Sequence, residues 1–234
     1  MNKALILVVE DDRPIRNLIV TTLKTHDYKY ITAENGSSVI LEASSHKPEI
    51  ILLDLGLPDM EGVDVIKKVR TWSNVPIIVI SARSEDVDKI EALDAGADDY
   101  ITKPFLPLEL VARVKAQLRR YKKYNVGSAV PAANEIFKYA GLTMNIKTYE
   151  CRLNGETLSL TPTEFSILRI LLERRCSVVS AEELFHEIWQ EEYYTKSNNT
   201  ITVHIRHLRE KMKDTGENPR YIKTVWGVGY KIEK

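Results

Sequence analysis

The sequence has only two cysteines, no net charge and no long apolar segment. Cys151 and Cys176 stand in different sequence contexts, so we expect two free thiols in a reducing compartment and no disulfide framework. Because 33 basic residues balance 33 acidic ones, bulk charge indicates neither nucleic-acid nor membrane binding, and any basic patch must be local. No stretch approaches the roughly 18 apolar residues that span a bilayer.

The amino terminus also lacks the features of a secretory signal. Its apolar run ends in the acids of VVEDD with no small-residue cleavage site after it, which predicts a first strand. We therefore expect a cytoplasmic protein. The sequence contains no internal repeat or low-complexity tract, and its 234 residues suit two modest domains.

Short apolar runs alternate with helix-period segments from residue 4 to about residue 120. This alternation predicts an α/β domain in which repeated βα units surround a parallel sheet. Ligand chemistry in such sheets gathers at the carboxyl ends of the strands. The predicted strands are residues 4–9, 30–33, 50–53, 77–80 and 99–101.

The pattern changes after residue 123. Residues 124–135 include the small and polar stretch NVGSAVPAANE, which predicts a linker between domains 1–123 and 136–234. The second domain begins with short alternating runs around Asn154 and Gly155, a strong hairpin signal. Three helical patterns follow at residues 163–174, 181–189 and 198–213, and TVWGVGYKI predicts a terminal hairpin.

Polar side chains follow four of the predicted strands of the first domain. They are Glu10, Asp11 and Asp12 after the first strand, Asp54 after the third, Ser81 after the fourth and Lys103 after the fifth. Oxygen-rich clusters suit Mg²⁺, and a metal that screens charge would let a carboxylate attack a phosphoryl group. Lys103 and Ser81 could then bind phosphoryl oxygens. Each acid alone is equally typical of a helix N-cap, and Asp12, followed by Arg13 and Pro14, fits that role best.

The segments VVEDD, LLDLGLPDMEG, ISARSE and GADDYITKPF, in this order, resemble the receiver domains of two-component response regulators. The resemblance implies a flavodoxin-like, doubly wound sheet of five parallel strands. It implies that Asp54 accepts a phosphoryl group from a phosphohistidine on a sensor kinase. It also implies that Glu10, Asp11, Asp54 and the backbone carbonyl of Gly56 hold Mg²⁺.

Three further residues of the first domain have roles that the resemblance implies. Ser81 and Tyr100 act in receivers as a coupled switch, and the bond between Lys103 and Pro104 is usually cis. Haloacid-dehalogenase-type phosphatases share the aspartate, hydroxyl and lysine, but they need a second acid two residues after the nucleophile. Because Gly56 occupies that position, we do not expect a turnover enzyme.

Residues 87–115 resemble the receivers that dimerise through the fourth helix, fifth strand and fifth helix. The resemblance implies pairs across the dimer between Lys89 and Glu109, Asp99 and Arg113, and Asp98 and Lys115, around an apolar centre of Ile90, Leu93 and Ala112. Without the family, the same charges describe a solvated helix face, where ion pairs contribute little. Their alternating signs favour a self-complementary twofold interface.

The segment NNTITVHIRHLREKMK predicts an amphipathic helix with an apolar stripe of Ile201, Ile205, Leu208 and Met212. The opposite face would expose Asn199, Thr200, Thr202, Val203, Arg206 and His207. On that face Val203 suits a thymine methyl group, and Thr202 and Arg206 suit base edges or phosphates. A surface helix with ordinary charges remains the alternative.

The segments LTPTEFSILRILLE, VVSAEELFHEIW, NNTITVHIRHLREKM and YIKTVWGVGYKI resemble the α+β winged-helix effector domains of the OmpR/PhoB subgroup. The resemblance implies DNA contacts from Thr200, His204, Arg206 and Arg209, and from Thr224 and Trp226 of the wing. Asn199, His207 and Trp226 replace residues that are often arginine in this subgroup, which bears on base preference. His204 and Arg209 lie nearer the core stripe and suit contacts to the DNA backbone.

Together these resemblances predict a phosphorylation-activated transcription regulator that dimerises on promoter repeats and works with RNA polymerase. The effector domain is most similar to vancomycin-resistance (VanR-type) regulators, whereas the receiver is similar to potassium-transport (Kdp-type) regulators. Three alternatives stay open: a Kdp-type regulator, a DNA-binding protein whose receiver is a phosphorylation-independent dimerisation module, and a scaffold that binds proteins through its winged helix.

Overall fold

The computed structural model describes residues 3–125, 136–189, 198–216 and 219–233, with backbone only for 122–125 and 198–199. The chain forms two compact units, Met1–Tyr121 and Lys122–Lys234. The predicted linker, 124–135, lies outside the described residues from position 126 onward. None of the helices in the described ranges has the length and apolarity that a bilayer crossing requires.

The N-terminal unit is a parallel sheet of five strands in the order β2-β1-β3-β4-β5, which confirms the predicted α/β architecture. Its strands are β1 (Leu5–Val9), β2 (Lys29–Ala33), β3 (Ile50–Leu53), β4 (Ile77–Ser81) and β5 (Asp99–Thr102). Its helices are α1 (Arg13–Thr25), α2 (Gly36–His46), α3 (Gly62–Arg70), α4 (Asp86–Asp94) and α5 (Pro107–Asn125).

The central strands form because their residues are apolar on both faces. Every residue of β3 (IILL) and β4 (IIVIS) is buried, as in parallel sheets that carry helices on both sides. The register pairs Val9 with Leu53 and Leu53 with Val79, so β1 and β3 end level with each other and β4 continues two residues further, to Ser81. The residues that follow them therefore meet at one edge of the sheet.

Short polar contacts fix the loops at this edge. Asp12 caps α1, because its Oδ1 accepts a hydrogen bond from the Ile15 amide at 2.9 Å, as the sequence predicts. Asp59, in the loop after β3, accepts hydrogen bonds from the amides of Gly36 (2.7 Å) and Ser37 (2.9 Å) at the start of α2. The bonds from Ser37 and Gly36 lower the pKa of Asp59 to about 2. The loop that follows Asp54 is thereby tied to a neighbouring helix.

The C-terminal unit opens with an antiparallel sheet, continues with three helices and closes with a hairpin. The sheet comprises β6 (Ile136–Tyr139), β7 (Leu142–Asn145), β8 (Glu150–Leu153) and β9 (Glu156–Thr157). The helices are α6 (Pro162–Glu173), α7 (Ala181–Trp189) and α8 (Asn198–Lys211), and the hairpin pairs β10 (Ile222–Val225) with β11 (Gly229–Ile232). One apolar core joins these elements and contains the predicted stripe of α8.

The two cysteines are free thiols, as predicted. Cys151 is buried in the core of the C-terminal unit, and this burial raises the pKa of its thiol to about 12. Cys176 is exposed. Neither residue is in a disulfide.

We predict that Gly62→Ala destabilises the N-terminal unit. A Cβ at this position would lie 2.6 Å from the Leu55 Cα and 2.8 Å from the Asp54 carbonyl oxygen, and these backbone atoms cannot turn aside. Overpacking of this kind costs about 1–3 kcal/mol. Differential scanning calorimetry of the full chain should therefore show a lower melting temperature for the N-terminal transition.

Gly56→Ala is the matched control, because a Cβ there would meet no atom within 4 Å. This variant should melt like the wild type. Equal melting temperatures for the two variants would contradict the steric explanation.

Candidate functional site

Three carboxylates converge at the carboxyl edge of the parallel sheet. Ligand atoms of Glu10 and Asp11, which follow β1, and of Asp54, which follows β3, all lie within 4.8 Å of one another. Glu10 is 1% exposed and Asp54 is 8% exposed, whereas Asp11 is open to solvent. Glu10 and Asp54 thus form the buried part of the cluster, and Asp11 lies at its solvent-accessible side.

Lys103, which follows β5, bridges the two buried acids. Its ammonium group lies 2.7 Å from Asp54 Oδ2 and 2.7 Å from Glu10 Oε2. Burial disfavours the charged lysine, but its bonds to Asp54 and Glu10 outweigh that effect and raise the pKa of Lys103. Burial, together with the charge of Asp54, raises the pKa of Glu10 to about 7. The peptide bond between Lys103 and Pro104 is cis, as the receiver resemblance implied.

A divalent cation fits the donor set of this cluster. Glu10, Asp11 and Asp54 offer three carboxylates against the single ammonium of Lys103, so negative charge is in excess. Hard oxygen donors of this type are the ligands that Mg²⁺ prefers. The Gly56 amide donates to Asp54 Oδ1 at 3.2 Å, whereas Lys103 binds the other oxygen, Oδ2, so both carboxylate oxygens have a partner.

Ser81 and Tyr100 lie on the adjacent strands β4 and β5 and meet at the same backbone segment. The Arg83 amide donates to Ser81 Oγ at 3.3 Å, and the Tyr100 hydroxyl donates to the Arg83 carbonyl oxygen at 2.7 Å. The Arg83 guanidinium in turn pairs with Glu61 of the β3–α3 loop at 2.7 Å. Arg83 therefore links both switch candidates to the loop that carries Gly56.

Several charges predicted for a dimer interface have partners within their own chain. Arg113 pairs with both Asp99 and Glu109, at 3.1 Å each, and Lys89 lies 3.8 Å from Asp86. The structure therefore pairs Asp99 with Arg113 within one chain, whereas the prediction places this pair across the dimer. These ion pairs order the α4–β5–α5 face of the single chain.

Two predicted interface residues are buried, which contradicts their assignment to a surface. The side chain of Asp98 is fully buried and pairs with Arg70 at 2.8 Å, while the Ile77 amide donates to Asp98 Oδ2 at 3.0 Å. Leu93 is 1% exposed. Ala112 and Lys115 are exposed and Ile90 is partly exposed, so these three residues remain available on the face.

The exposed face of α8 is narrower than predicted. Val203 is 5% exposed, His204 is 2% exposed and His207 is 8% exposed, which contradicts their prediction as DNA contacts. Thr202 and Arg206 are exposed and Thr200 is partly exposed. The side chain of Asn199 lies outside the described residues.

Buried polar contacts hold α8 against α6. Glu164 of the α6 capping box accepts a hydrogen bond from Lys211 Nζ at 2.6 Å, and His207 Nδ1 lies 3.9 Å from its other carboxylate oxygen. His204 packs near Trp189 of α7, with ring centroids 6.4 Å apart. The two histidines thus support the helix from behind.

The predicted wing contacts divide into an anchored residue and an exposed one. Thr224 of β10 accepts a hydrogen bond from Arg209 Nη2 at 2.8 Å. Trp226, in the turn of the hairpin, is 90% exposed. Arg209 is partly buried and its guanidinium group binds β10, whereas Arg206 is exposed.

Reading the sequence missed Arg83, Glu61, Asp59 and Glu164. The only local signal was for Glu164, because Thr161 and Glu164 in LTPTEF form a capping-box pattern. Glu61 lies 22 residues from Arg83, and Gly36 and Ser37 lie 23 and 22 residues from Asp59, so no short-range pattern indicates these contacts.

Two family models match the chain. The model described as "Response regulator receiver domain" matches residues 6–115, and the model described as "Transcriptional regulatory protein, C terminal" matches residues 155–232. The two matches follow one another along the chain and fall within its two compact units.

The chain is also similar to complete regulators. It is 55% identical over 233 residues to the regulatory protein VanR of Enterococcus faecium, with 98% of each chain covered. It is 38% identical over 227 residues to the KDP operon transcriptional regulatory protein KdpE of Escherichia coli strain K12, covering 97% of this chain and 98% of that protein. The crystal structure of DrrB, an OmpR/PhoB homologue of Thermotoga maritima, matches with 28% identity and a TM-score of 0.52 over 100% of both chains.

We predict that Asp98→Ala lowers the free energy of unfolding of the N-terminal unit by about 3–5 kcal/mol. The substitution leaves the largely buried Arg70 without the carboxylate that it binds at 2.8 Å. Urea unfolding measures this change. Lys115→Ala, at the exposed residue predicted to pair with Asp98, should leave stability unchanged. An Asp98→Ala protein of wild-type stability would contradict the buried ion pair.

Proposed function

The chain belongs to the response regulators that join a receiver domain to a DNA-binding domain of the OmpR/PhoB type, and on this premise we propose that Asp54 accepts a phosphoryl group from a sensor histidine kinase. Members of this family are phosphorylation-dependent transcription regulators, and so is this protein. The observation that carries the proposal is the convergence of Asp54, Glu10, Asp11 and Lys103 at one sheet edge. As a DNA-binding response regulator, the protein would act in the cytoplasm.

The acidic cluster would hold Mg²⁺. Glu10, Asp11 and Asp54 would supply carboxylate oxygens and Gly56 a backbone carbonyl, and the excess negative charge of the cluster supports this set. When bound, the ion would screen the charge of the incoming phosphoryl group from the carboxylates. Gly56 stands where phosphatases of similar chemistry need an acid, so the site supports phosphoryl acceptance and not turnover.

The transfer step exchanges one phosphorus bond for another. A carboxylate oxygen of Asp54 attacks phosphorus, the O–P bond forms and the N–P bond of the phosphohistidine breaks. The electron pair of that bond stays with the histidine ring, which leaves as neutral imidazole because its other nitrogen carries a proton. Lys103 is already 2.7 Å from Asp54 Oδ2, so its ammonium is placed to bind a phosphoryl oxygen.

The switch would act through the backbone at Arg83. Ser81 now accepts a hydrogen bond from the Arg83 amide, and Tyr100 donates to the Arg83 carbonyl. A phosphoryl oxygen on Asp54 would draw the Ser81 hydroxyl towards it as a donor, and this movement would break the hydrogen bond from the Arg83 amide and free the Arg83 segment together with the Tyr100 ring. The acyl phosphate thereby favours a second arrangement of the α4–β5–α5 face.

In this second arrangement the protein would dimerise and bind DNA. We assign the receiver to residues 1–123 and the effector to residues 136–234, with dimerisation through the α4–β5–α5 face. The exposed positions Thr202, Arg206 and Trp226 support α8 and the wing as the DNA-reading elements. Dimerisation would raise the effective concentration of the second effector domain on repeated half-sites, where the complex would engage RNA polymerase.

The comparisons favour a VanR-type promoter as the target. Identity is 55% to VanR of Enterococcus faecium and 38% to KdpE of Escherichia coli, over nearly the whole chain in both cases. Because the effector domain selects DNA, its likeness to the VanR-type sequences outweighs the likeness of the receiver to Kdp-type regulators. The further partners are the sensor kinase, promoter DNA and a second copy of the chain.

We predict that a small phosphodonor with Mg²⁺ adds one phosphoryl group to the full-length protein, measured by intact mass. Asp54→Asn should add none, because the amide is a poor nucleophile. Asp64→Asn is the matched control, since Asp64 is an exposed acid in the first turn of α3, outside the cluster. No labelling of the wild type, or equal labelling of Asp54→Asn, would contradict the proposal. The receiver would then be a phosphorylation-independent dimerisation module.

We further predict that the phosphorylated protein binds direct repeats from a VanR-type promoter at least about a thousandfold more tightly than random DNA. A competition gel-shift assay at one fixed, moderate salt concentration measures this ratio. A Kdp-type promoter duplex is the second competitor. Stronger binding to the Kdp-type duplex would reassign the target. Binding to the VanR-type repeats no tighter than to random DNA would contradict the VanR-type target.

A further inference from the structure

We propose that Arg209 is a positioning residue that fastens the β10–β11 wing to α8, so that helix and wing meet DNA as one rigid surface. This role rests on the proposed DNA-binding function and replaces the direct phosphate contact predicted from the sequence.

The guanidinium of Arg209 is engaged by β10 on one edge. Its Nε and Nη2 donate to the Ile222 carbonyl oxygen at 3.1 and 2.6 Å, and Nη2 also donates to Thr224 Oγ1 at 2.8 Å. The two acceptor residues, Ile222 and Thr224, alternate along β10, so one arginine side chain binds the strand at two positions. The Nε–Nη2 edge is one of the two that arginine uses for bidentate contact with a phosphate, and here protein oxygens take it.

A second contact joins the other strand of the wing to the same helix face. Thr202 Oγ1 and the Tyr230 hydroxyl of β11 lie 3.3 Å apart. Thr202 and Arg209 are seven residues apart, which places them on one face of the helix and about 10 Å apart along its axis. The hairpin is therefore fastened to α8 at two points, one on each strand.

This fastening leaves other residues to contact DNA. The Arg206 side chain is 51% exposed, and the Trp226 residue is 90% exposed. Backbone hydrogen bonds already tie β11 to the segment before α7, where Val179 and Tyr230 each donate to the other and Cys176 donates to the Ile232 carbonyl oxygen, whereas Arg209 binds β10. A β10 strand loosened from α8 would have to be ordered during binding. The Arg209 contacts remove that ordering cost before DNA arrives, which is a gain in affinity without a contact to DNA.

Salt dependence of binding separates a positioning residue from a phosphate contact. We expect Arg209→Gln to weaken binding of the full chain to the promoter duplex by roughly tenfold, the effect of one lost charge-assisted hydrogen bond. The slope of log K against log[salt] should stay at its wild-type value. Arg206→Gln is the matched control, and its slope should fall in magnitude by about 0.9, as for one lost phosphate contact.

Hydrogen exchange without DNA provides the second readout. Arg209→Gln should speed exchange of the β10 and β11 amides, Thr224→Val should do so to a smaller extent, and Arg206→Gln should leave them unchanged. A slope loss near 0.9 for Arg209→Gln, or unchanged exchange in the wing, would overturn the proposal. A wild-type chain that binds no duplex would refute DNA binding instead, and the exchange data would still decide whether Arg209 fastens the wing.

Discussion

The ammonium of Lys103 holds two buried carboxylates, Glu10 and Asp54, at one edge of the parallel sheet, and the N-terminal unit is organised around this contact. Two ionised carboxylates at this depth need a counter-charge, because an uncompensated buried charge is strongly destabilising. Each of the three residues comes from the end of a different strand. The ion triad therefore exists only when β1, β3 and β5 are in register, so fold and chemistry depend on the same alignment.

Most of the architecture followed from hydrophobic patterning. Apolar runs such as Ile50–Leu53 match strands buried on both faces, and the helical segments between them match the crossovers of a parallel sheet. The acids of the cluster were predictable because strand ends converge. Asp12 was predictable as a cap, because proline at the start of the helix identifies its first turn.

The incorrect assignments share one physical cause, which is burial by residues distant in the sequence. Asp98 stands among charged neighbours and reads as a surface residue, but Arg70, 28 positions earlier, binds it inside the fold. His207 lies off the core stripe of α8, yet it is buried beside Glu164, 43 positions earlier. Helical periodicity locates the face that meets the main core, and it carries no information on what else covers the flanks.

The anchoring of α8 also has an evolutionary consequence. The Glu164–Lys211 pair holds α8 to the core, and the Arg209–Thr224 pair connects α8 to the wing. Neither pair needs to contact a DNA base. Exposed positions such as Arg206 can then change without loss of the fold. Paralogous regulators could diverge in promoter choice through a few surface substitutions, while the anchoring pairs would be expected to change only together. Duplicated genes would thus acquire new targets without passing through an unstable intermediate.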